Sequence, residues 1–271
     1  MTRLMGIVNV TPDSFSDGGR YLDAEAAIAH GRQLAAEGAD IVDVGGESTR
    51  PGAAEVSAED ELARVGPVVS ALAGDGPRVP VSIDTSKASV AASALDAGAA
   101  MVNDVTALRG DPDLGAVCAT AGCDVVLMHM LGSPRTMQDD PRYDDVVDDV
   151  KRFLAARIEA AVAAGIDEER IWVDPGVGFG KTADHNVELL RRLGELRALG
   201  RPIVIGASRK TFIGRLTGRD VDGRVWGTVA ANALAVAAGA DMLRVHDVAA
   251  AREAVLTAET ILGRRAWDTA P

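Results

Sequence analysis

The sequence contains 271 residues with a formal net charge of −12, and 47% of them are hydrophobic but only 3% aromatic. This length suits one α/β barrel, and the acidic balance argues against a nucleic acid partner, which would need a basic surface. No apolar run approaches the roughly 20 residues that cross a bilayer, and Met1 leads into a strand-like segment without a signal peptide, so we expect a cytoplasmic protein with no membrane partner.

Eight short apolar runs, each typical of a buried parallel strand, recur along the chain. In order, they span residues 4–8, 41–44, 79–83, 101–102, 125–128, 171–173, 203–205 and 242–245. Between them and after the last, Ala, Leu and Val recur at the spacing of three and four that predicts helices. The predicted helices span residues 24–37, 58–72, 90–97, 114–121, 143–164, 186–199, 227–238 and 249–262.

Eight strand–helix units predict an α/β fold, a single eight-stranded parallel (β/α)8 TIM barrel. The alternative, an open doubly wound sheet, would need a Gly-x-Gly-x-x-Gly turn after the first strand to bind a dinucleotide. Here that strand is followed by Asn9-Val10-Thr11-Pro12-Asp13. We therefore predict one barrel domain over residues 1–263 and a flexible tail over 264–271.

Some conspicuous residues have structural interpretations. Trp172 alternates with apolar strand neighbours, so we expect it to pack between strand and helix. Cys118 and Cys123 lack the spacing of a metal or redox motif and are expected to be reduced structural thiols. Asp145 lies in an acidic segment that opens a helix, where negative charge complements the helix dipole.

Polar or charged residues end or directly follow every apolar run. They are Asn9, Asp43, Glu47, Asp84, Asn103, Asp104, His129, Asp174, Ser208, Arg209, Lys210, Arg244 and His246. In a parallel barrel they would converge on one mouth, where active sites lie. Turn formation and helix capping explain many polar residues after strands. Asp84, Asn103 and Arg244, however, sit where an apolar run ends and should face the interior, so they need partners or a ligand.

Two glycine-rich turns add an anion-binding character to this mouth. Residues 174–181 follow the sixth strand and residues 206–210 follow the seventh, and cations lie in or beside both turns. Glycines let backbone N–H groups approach a ligand closely, and a helix start favours an anion. Cations clustered at these turns in an acidic protein indicate a site for a phosphate or diphosphate.

Taken together, these segments resemble the dihydropteroate synthase family of folate biosynthesis. The matching segments are residues 6–19, 43–52, 82–85, 103–105, 128–130, 174–176, 208–210 and 244–248. The resemblance implies a transferase that condenses 6-hydroxymethyl-7,8-dihydropterin diphosphate with 4-aminobenzoate, giving 7,8-dihydropteroate and diphosphate. It also implies Mg²⁺ as cofactor, a homodimer, and inhibition by sulfonamides, with a sulfonamide-resistant form as the alternative.

The resemblance also assigns roles to individual residues. The pterin pocket would be lined by Asp84, Asn103, Met128, Asp174, Gly206 and Lys210. The diphosphate would be held by Asn9, Arg50, Arg244 and His246, with Asn9 also binding the metal. The aminobenzoate site would be formed by Phe15, Thr49, Arg50, Pro51, Phe179 and Ser208. Asp84, Lys210 and Arg244 would be the catalytic residues of a dissociative mechanism in which diphosphate leaves before the arylamine attacks.

Two other functions remain open at this point. A pterin-binding methyltransferase would share the barrel, but it does not need the Ser208-Arg209-Lys210 turn or the loop that begins at Glu47. A catalytically silent relative could bind a pterin as a regulator, although no signature position is substituted here. Diphosphate release measured with and without 4-aminobenzoate would separate the three.

Overall fold

The computed structural model describes residues 1–11, 19–49, 52–74 and 79–266. In this part of the chain no helix has both the length and the apolar character needed to cross a membrane. Eight strands lie close to the predicted positions. They are β1 (Arg3–Asn9), β2 (Ile41–Gly45), β3 (Val81–Asp84), β4 (Met101–Asp104), β5 (Asp124–Met128), β6 (Ile171–Asp174), β7 (Val204–Ile205) and β8 (Met242–Val245).

The strands form one parallel sheet in the order β6-β5-β4-β3-β2-β1-β8-β7. The two outer strands meet through a parallel bridge between Val173 and Ile203, and the Val173 N–H donates to the carbonyl of Pro202 at 3.0 Å. This contact closes the sheet on itself. The predicted eight-stranded barrel is therefore confirmed.

The helices follow the predicted alternation with shifts at their ends. They are α1 (Gly19–Ala36), α2 (Ala58–Gly74), α3 (Ala88–Asp96), α4 (Leu114–Ala121), α5 (Val146–Ala163), α6 (Ala183–Arg191), α7 (Thr211–Thr217), α8 (Val225–Ala237) and α9 (Val248–Ile261). The predicted helix 186–199 is wrong in its second half, because α6 ends at Arg191 and a 3-10 helix continues to Leu199. Gly194, a poor helix former, lies in that second part. The short helix α7 was not predicted.

The strands bury two separate apolar layers. The larger cluster lies between the strands and the surrounding helices and includes Leu4, Val44 and Leu154. The smaller cluster draws one residue from each of seven strands, so it fills the inside of the barrel. Its members are Met5, Ile41, Met101, Val126, Trp172, Val204 and Met242. The expectation that Trp172 packs between strand and helix is therefore wrong, because its side chain points into the barrel.

Two other structural expectations agree with the coordinates. Cys118 and Cys123 are buried and free. The Asp145 carboxylate accepts the N–H groups of Val147 and Asp148 and so caps the start of α5. The predicted domain limits of 1–263 and 264–271 stay predictions, since residues 267–271 lie outside the described part.

Candidate active site

Above the apolar cluster inside the barrel, most of the inward-facing positions near the carboxyl ends of the strands are polar. Side chains alternate along a strand, so residues two positions apart share a face. Two positions beyond members of that cluster come Asp43, Asn103, Met128, Asp174, Gly206 and Arg244. Asp84 joins them because it pairs with Gly45 and Asn103 on the neighbouring strands. The carboxyl half of the barrel interior, called the pocket below, therefore brings together five of the six residues predicted to bind the pterin, together with Arg244.

Arg244 connects three strands at the floor of this pocket. Its Nε donates to Oδ2 of Asp43 at 2.6 Å, and its Nη2 donates to Oδ2 of Asp84 at 2.6 Å. The Asn103 amide donates to the same Asp43 oxygen at 3.0 Å. Among the contacts of the described residues, the Nη1 group of Arg244 has no protein partner, and the side chain is 21% exposed. The guanidinium can thus connect β8 with β2 and β3 and still donate hydrogen bonds to a ligand.

Burial and charge shift the pKa values of this group. Burial raises the pKa of Asp84 to about 7, although the guanidinium of Arg244 opposes the shift. Burial alone would lower the pKa of Arg244, but Asp43 and Asp84 outweigh it and the pKa rises, so the guanidinium stays charged. The predicted catalytic residues Asp84 and Arg244 therefore form one ion pair, with the carboxylate close to its protonation point.

A second group lies beside β6 and β7. Asp174 is buried, and its Oδ1 accepts the Gly176 N–H at 2.7 Å. Lys210 Nζ lies 4.0 Å from the centre of the Phe179 ring. Burial, followed by the nearby Arg244, lowers the pKa of Lys210 to about 8. A Cβ at Gly206 would lie 3.9 Å from both Arg244 Cβ and Asp174 Oδ2, so a side chain there would fill the space between these groups.

The turns after β7 and β8 are bound to each other. The hydroxyl of Ser208 lies 3.0 Å from His246 Nδ1 and accepts the His246 N–H at 3.2 Å. Arg209 holds Asp247 through two contacts of 2.9 and 2.5 Å. Burial, and then Arg244, lowers the pKa of His246 to about 4, so the imidazole is neutral near pH 7. His246 can therefore meet an anion as a neutral N–H donor.

A cluster of charged side chains anchors the loop after β2. Lys87 on the segment before α3 contacts the carboxylates of both Glu47 and Glu61. Glu61 is fully buried on α2, and Glu47 also accepts the Val56 N–H at 3.1 Å. Thr49, two residues after Glu47, is half-buried. The predicted site residues Phe15, Arg50 and Pro51 lie outside the described residues.

Asn9, the predicted metal ligand, ends β1 and pairs with Gly45, which in turn pairs with Asp84. In the described ranges, no group of three or more His, Cys, Asp or Glu side chains could hold a metal ion. One neutral amide oxygen is a small donor set. It fits Mg²⁺ only as an ion that takes its other ligands from water and from phosphate oxygens of a substrate.

Two residues of the site were given no role from the sequence, although Asp43 was among the polar residues expected at the mouth. Asp43 contacts both Arg244 and Asn103, and its signal was present as a charged residue inside the apolar run 41–44. Lys87 stands in the turn after β3, where a polar residue is expected for ordinary reasons. Its partner Glu61 is an acidic residue of a helix whose burial only the fold reveals.

Known proteins of similar sequence and structure are pterin enzymes. The family of pterin-binding enzymes matches residues 5–246. The dihydropteroate synthase of Neisseria meningitidis serogroup C is 50% identical over 263 residues, which cover 96% of this chain and 92% of that protein.

Solved structures agree. A Xanthomonas albilineans dihydropteroate synthase with 4-aminobenzoic acid is 51% identical, with a TM-score of 0.91 and coverage of 100% of this chain and 94% of that one. The same enzyme in complex with 7,8-dihydropteroate gives 48% identity and a TM-score of 0.88, covering 100% and 95%. A Yersinia pestis dihydropteroate synthase with a sulfonamide drug complex gives 45% identity and a TM-score of 0.92, covering 97% and 94%.

Proposed function

Since this chain belongs to the family of pterin-binding enzymes, we propose that it catalyses the condensation of 6-hydroxymethyl-7,8-dihydropterin diphosphate with 4-aminobenzoate. The products are 7,8-dihydropteroate and diphosphate. The observation that carries the proposal is the Arg244–Asp84 ion pair beside Asp174 and Lys210 in one barrel pocket. Arg244 would stabilise a leaving anion, and the neighbouring carboxylate of Asp84 would stabilise a developing cation.

The inner part of the pocket would bind the pterin ring. An ionised carboxylate only accepts hydrogen bonds, so Asp174 suits the amino and ring N–H groups of a pterin. Asn103 both donates and accepts, which suits a mixed edge. Met128 belongs to a small apolar cluster against which Phe179 packs, and this cluster can support the flat ring. Gly206 leaves the space that the ring would occupy.

The outer part would bind the diphosphate. Arg244 would donate through the edge that faces away from Asp43 and Asp84, and His246 would add a neutral donor. Asn9 would hold Mg²⁺ through its amide oxygen, together with oxygens of the diphosphate. When bound, the metal would neutralise part of the negative charge on the leaving group.

The Asp84–Arg244 ion pair would favour the charge separation that accompanies bond breaking. As the C–O bond to the pterin methylene breaks, its electrons move to the diphosphate beside Arg244, and positive charge appears on the methylene near Asp84. The amine of 4-aminobenzoate forms the new C–N bond and releases its proton to water. Catalysis would thus depend on positioning and fixed charges, with no covalent enzyme intermediate.

One assay tests the whole proposal. Diphosphate release from the pterin diphosphate should be fast with 4-aminobenzoate and slow without it. A methyltransferase or a silent pterin-binding relative would release no aminobenzoate-dependent diphosphate, and that result would overturn the proposal.

Binding is expected to be ordered and Mg²⁺-dependent. The amine must reach the methylene carbon, so the bound pterin would form the floor of the aminobenzoate site between Phe179 and Ser208. Calorimetry should show tight 4-aminobenzoate binding only when a pterin, diphosphate and Mg²⁺ are present, and EDTA should abolish it. Equal aminobenzoate affinity with and without these components would contradict the order.

Sulfonamides are expected to compete with 4-aminobenzoate. They carry the same aniline, with a sulfonyl group in place of the carboxylate, and so should occupy the site formed by Thr49, Phe179 and Ser208. Steady-state inhibition by sulfamethoxazole should weaken as aminobenzoate is raised. Inhibition that aminobenzoate fails to relieve would exclude a shared site. Full activity at high drug would instead identify a resistant form, for which a difference of about 1–3 kcal/mol between the two ligands is enough.

We further propose a cytoplasmic homodimer. Support for the dimer comes from large apolar side chains exposed on neighbouring helices: Trp226 and Leu234 on α8 are 77% and 69% exposed, and Ile261 at the end of α9 is 80% exposed. Exposed patches of this kind mark interaction surfaces. Sedimentation should give a dimer that Trp226→Glu dissociates, and cell fractionation should recover the protein with the cytoplasm. A wild-type monomer, or recovery with membranes, would contradict these two proposals.

A further inference from the structure

Lys181 is a cation of the glycine-rich turn that no step above uses, and its side chain points away from solvent. The residue is 3% exposed. Its ammonium nitrogen lies 2.9 Å from His129 Nδ1, 2.9 Å from the Gly176 carbonyl and 2.9 Å from the Phe179 carbonyl. An ammonium has three protons to donate. Each of them therefore has an acceptor, and Lys181 has no donor left for a substrate.

The acceptor role of His129 is consistent with its surroundings. Burial, and then the charge of Lys181, lowers the pKa of His129 to about 2. The neutral imidazole accepts at Nδ1 and carries its proton on the other nitrogen. Lys181 thus joins the turn after β6 to the residue that follows β5.

We propose that Lys181 is a positioning residue for pterin binding, which clamps the 176–179 turn and supplies positive charge that keeps Asp174 ionised. The inference rests on the proposed function, because Asp174 is the group proposed to accept hydrogen bonds from the ring. It makes two separable claims, one about the turn and one about charge.

The claim about the turn follows from its packing. Gly176 has a φ of +67°, and a Cβ there would lie 1.9 Å from the carbonyl oxygen of His129, so the turn is seated directly on the end of β5. At the other end of the turn, the Phe179 ring covers Lys210 Nζ at 4.0 Å. The clamp that fixes the carbonyls of Gly176 and Phe179 therefore also sets the place of two proposed substrate-binding side chains.

The claim about charge starts from geometry: the Gly176 carbonyl accepts from the Lys181 ammonium at 2.9 Å and the Gly176 N–H donates to Asp174 Oδ1 at 2.7 Å, so one residue bridges the two charges. Burial raises the pKa of Asp174, whereas the Gly176 N–H, Lys210 after β7, Arg244 on β8 and Lys181 all oppose the rise. Around Lys181 itself lie His129 and, from α6 and the segment before α5, His185 and Tyr143. Burial lowers the pKa of both imidazoles, that of His129 to about 2. His129 is therefore neutral through the acidic range and does not replace the charge of Lys181.

The pH range of this support can be stated. Burial, together with the nearby charge of Lys210, lowers the pKa of Lys181 to about 7 against the attraction of Asp174. The ammonium is charged below that pH and neutral above it. Its support is thus present in the acidic range, where Asp174 would otherwise take up a proton.

Two variants separate the claims. Lys181→Gln keeps hydrogen-bond donors but removes the charge, and Lys181→Met removes both. Lys151, a half-buried surface residue of α5 that pairs with Asp148, gives the matched control Lys151→Gln. The ring's affinity is measured by calorimetry with 6-hydroxymethylpterin between about pH 5 and pH 8, and the KM for 4-aminobenzoate is measured at the upper end of that range.

The Gln variant should bind the pterin more weakly than wild type at the acidic end, by about tenfold as is typical of losing one nearby opposite charge, and should approach wild type near pH 8. The Met variant should in addition raise the KM for aminobenzoate, because Phe179 loses its anchor. A Gln variant with the wild-type pH dependence would overturn the inference even if Met fails to fold. Wild-type protein that binds no pterin would overturn the proposed function instead.

Discussion

Replacing Asp84 by Asn is expected to lower kcat about 100- to 1,000-fold, the range typical of removing one fixed electrostatic stabiliser of a transition state. The amide keeps the shape of the side chain and can still contact Arg244, whose Nη2 lies 2.6 Å from Oδ2 in the native protein. What disappears is the negative charge beside the methylene carbon. That charge matters most when the cation has formed, so affinity for the pterin diphosphate should change little.

The pH profile gives an independent check on Asp84. The carboxylate is the active form, and burial raises its pKa to about 7, so kcat/KM should fall as the pH drops below about 7. Lys210 is active as the ammonium, and its pKa is lowered to about 8, so kcat/KM should also fall as the pH rises above about 8. The Asn variant should lose the acidic limb, and its alkaline limb should move to lower pH because the Asp84 charge no longer raises the pKa of Lys210.

Asp104→Asn is the matched control for this prediction. Asp104 is more deeply buried than Asp84, 0% against 12% exposed, but it follows Asn103 on β4 and so faces the helices, where it accepts N–H groups of Thr106 and Leu108. Its substitution should affect stability more than kcat. An unchanged kcat with a raised KM in Asp84→Asn would contradict the proposed role of Asp84.

Replacing Arg244 by Ala is expected to damage both catalysis and stability. Removing one partner of a buried, hydrogen-bonded charge pair costs about 2–5 kcal/mol in binding, which here would appear as a loss of kcat/KM through the diphosphate. The same substitution leaves Asp43, fully buried, with Asn103 as its remaining side-chain partner. An uncompensated buried charge of this kind destabilises a fold by about 3–5 kcal/mol.

A double variant separates the two effects. Asp43→Asn combined with Arg244→Ala removes the fully buried orphaned charge and leaves only that of Asp84, which is 12% exposed, so thermal unfolding should return part of the way toward that of the wild type while kcat/KM stays low. Recovery of activity together with stability would show that Arg244 serves the fold alone. Near-normal activity of the single variant would place the diphosphate elsewhere.

Much of the barrel was predictable because its pattern is local. Apolar runs, helical spacing and polar strand ends all lie within short stretches of the chain. The alternation of side chains along β6 was enough to predict the direction of Trp172. Since Asp174 faces the barrel interior, Trp172 two positions earlier must face it too. The expectation for Trp172 was wrong because it relied on the apolar character of the neighbouring residues and ignored which face of the strand the side chain occupies.

Other features depend on contacts that sequence spacing does not contain. Asp43 and Arg244 are 201 positions apart, and only the pairing of both β2 and β8 with β1 brings them together. Lys181 was predicted among the cations of an anion-binding turn. Its ammonium instead donates to three protein acceptors and is buried under that turn. Helix α7 has seven residues, too few to show a helical period.

Closure between β6 and β7 rests on the single isolated bridge between Val173 and Ile203 in the described chain, and Asp174 and Gly206 lie just beyond it. A pterin held by Asp174 and Lys210 would span this seam and tie its two strands together. A ligand that binds only the folded chain stabilises it by mass action. Cells short of pterin would then hold a barrel that opens more often at this edge and is degraded sooner. The amount of enzyme would thus follow the supply of its own substrate.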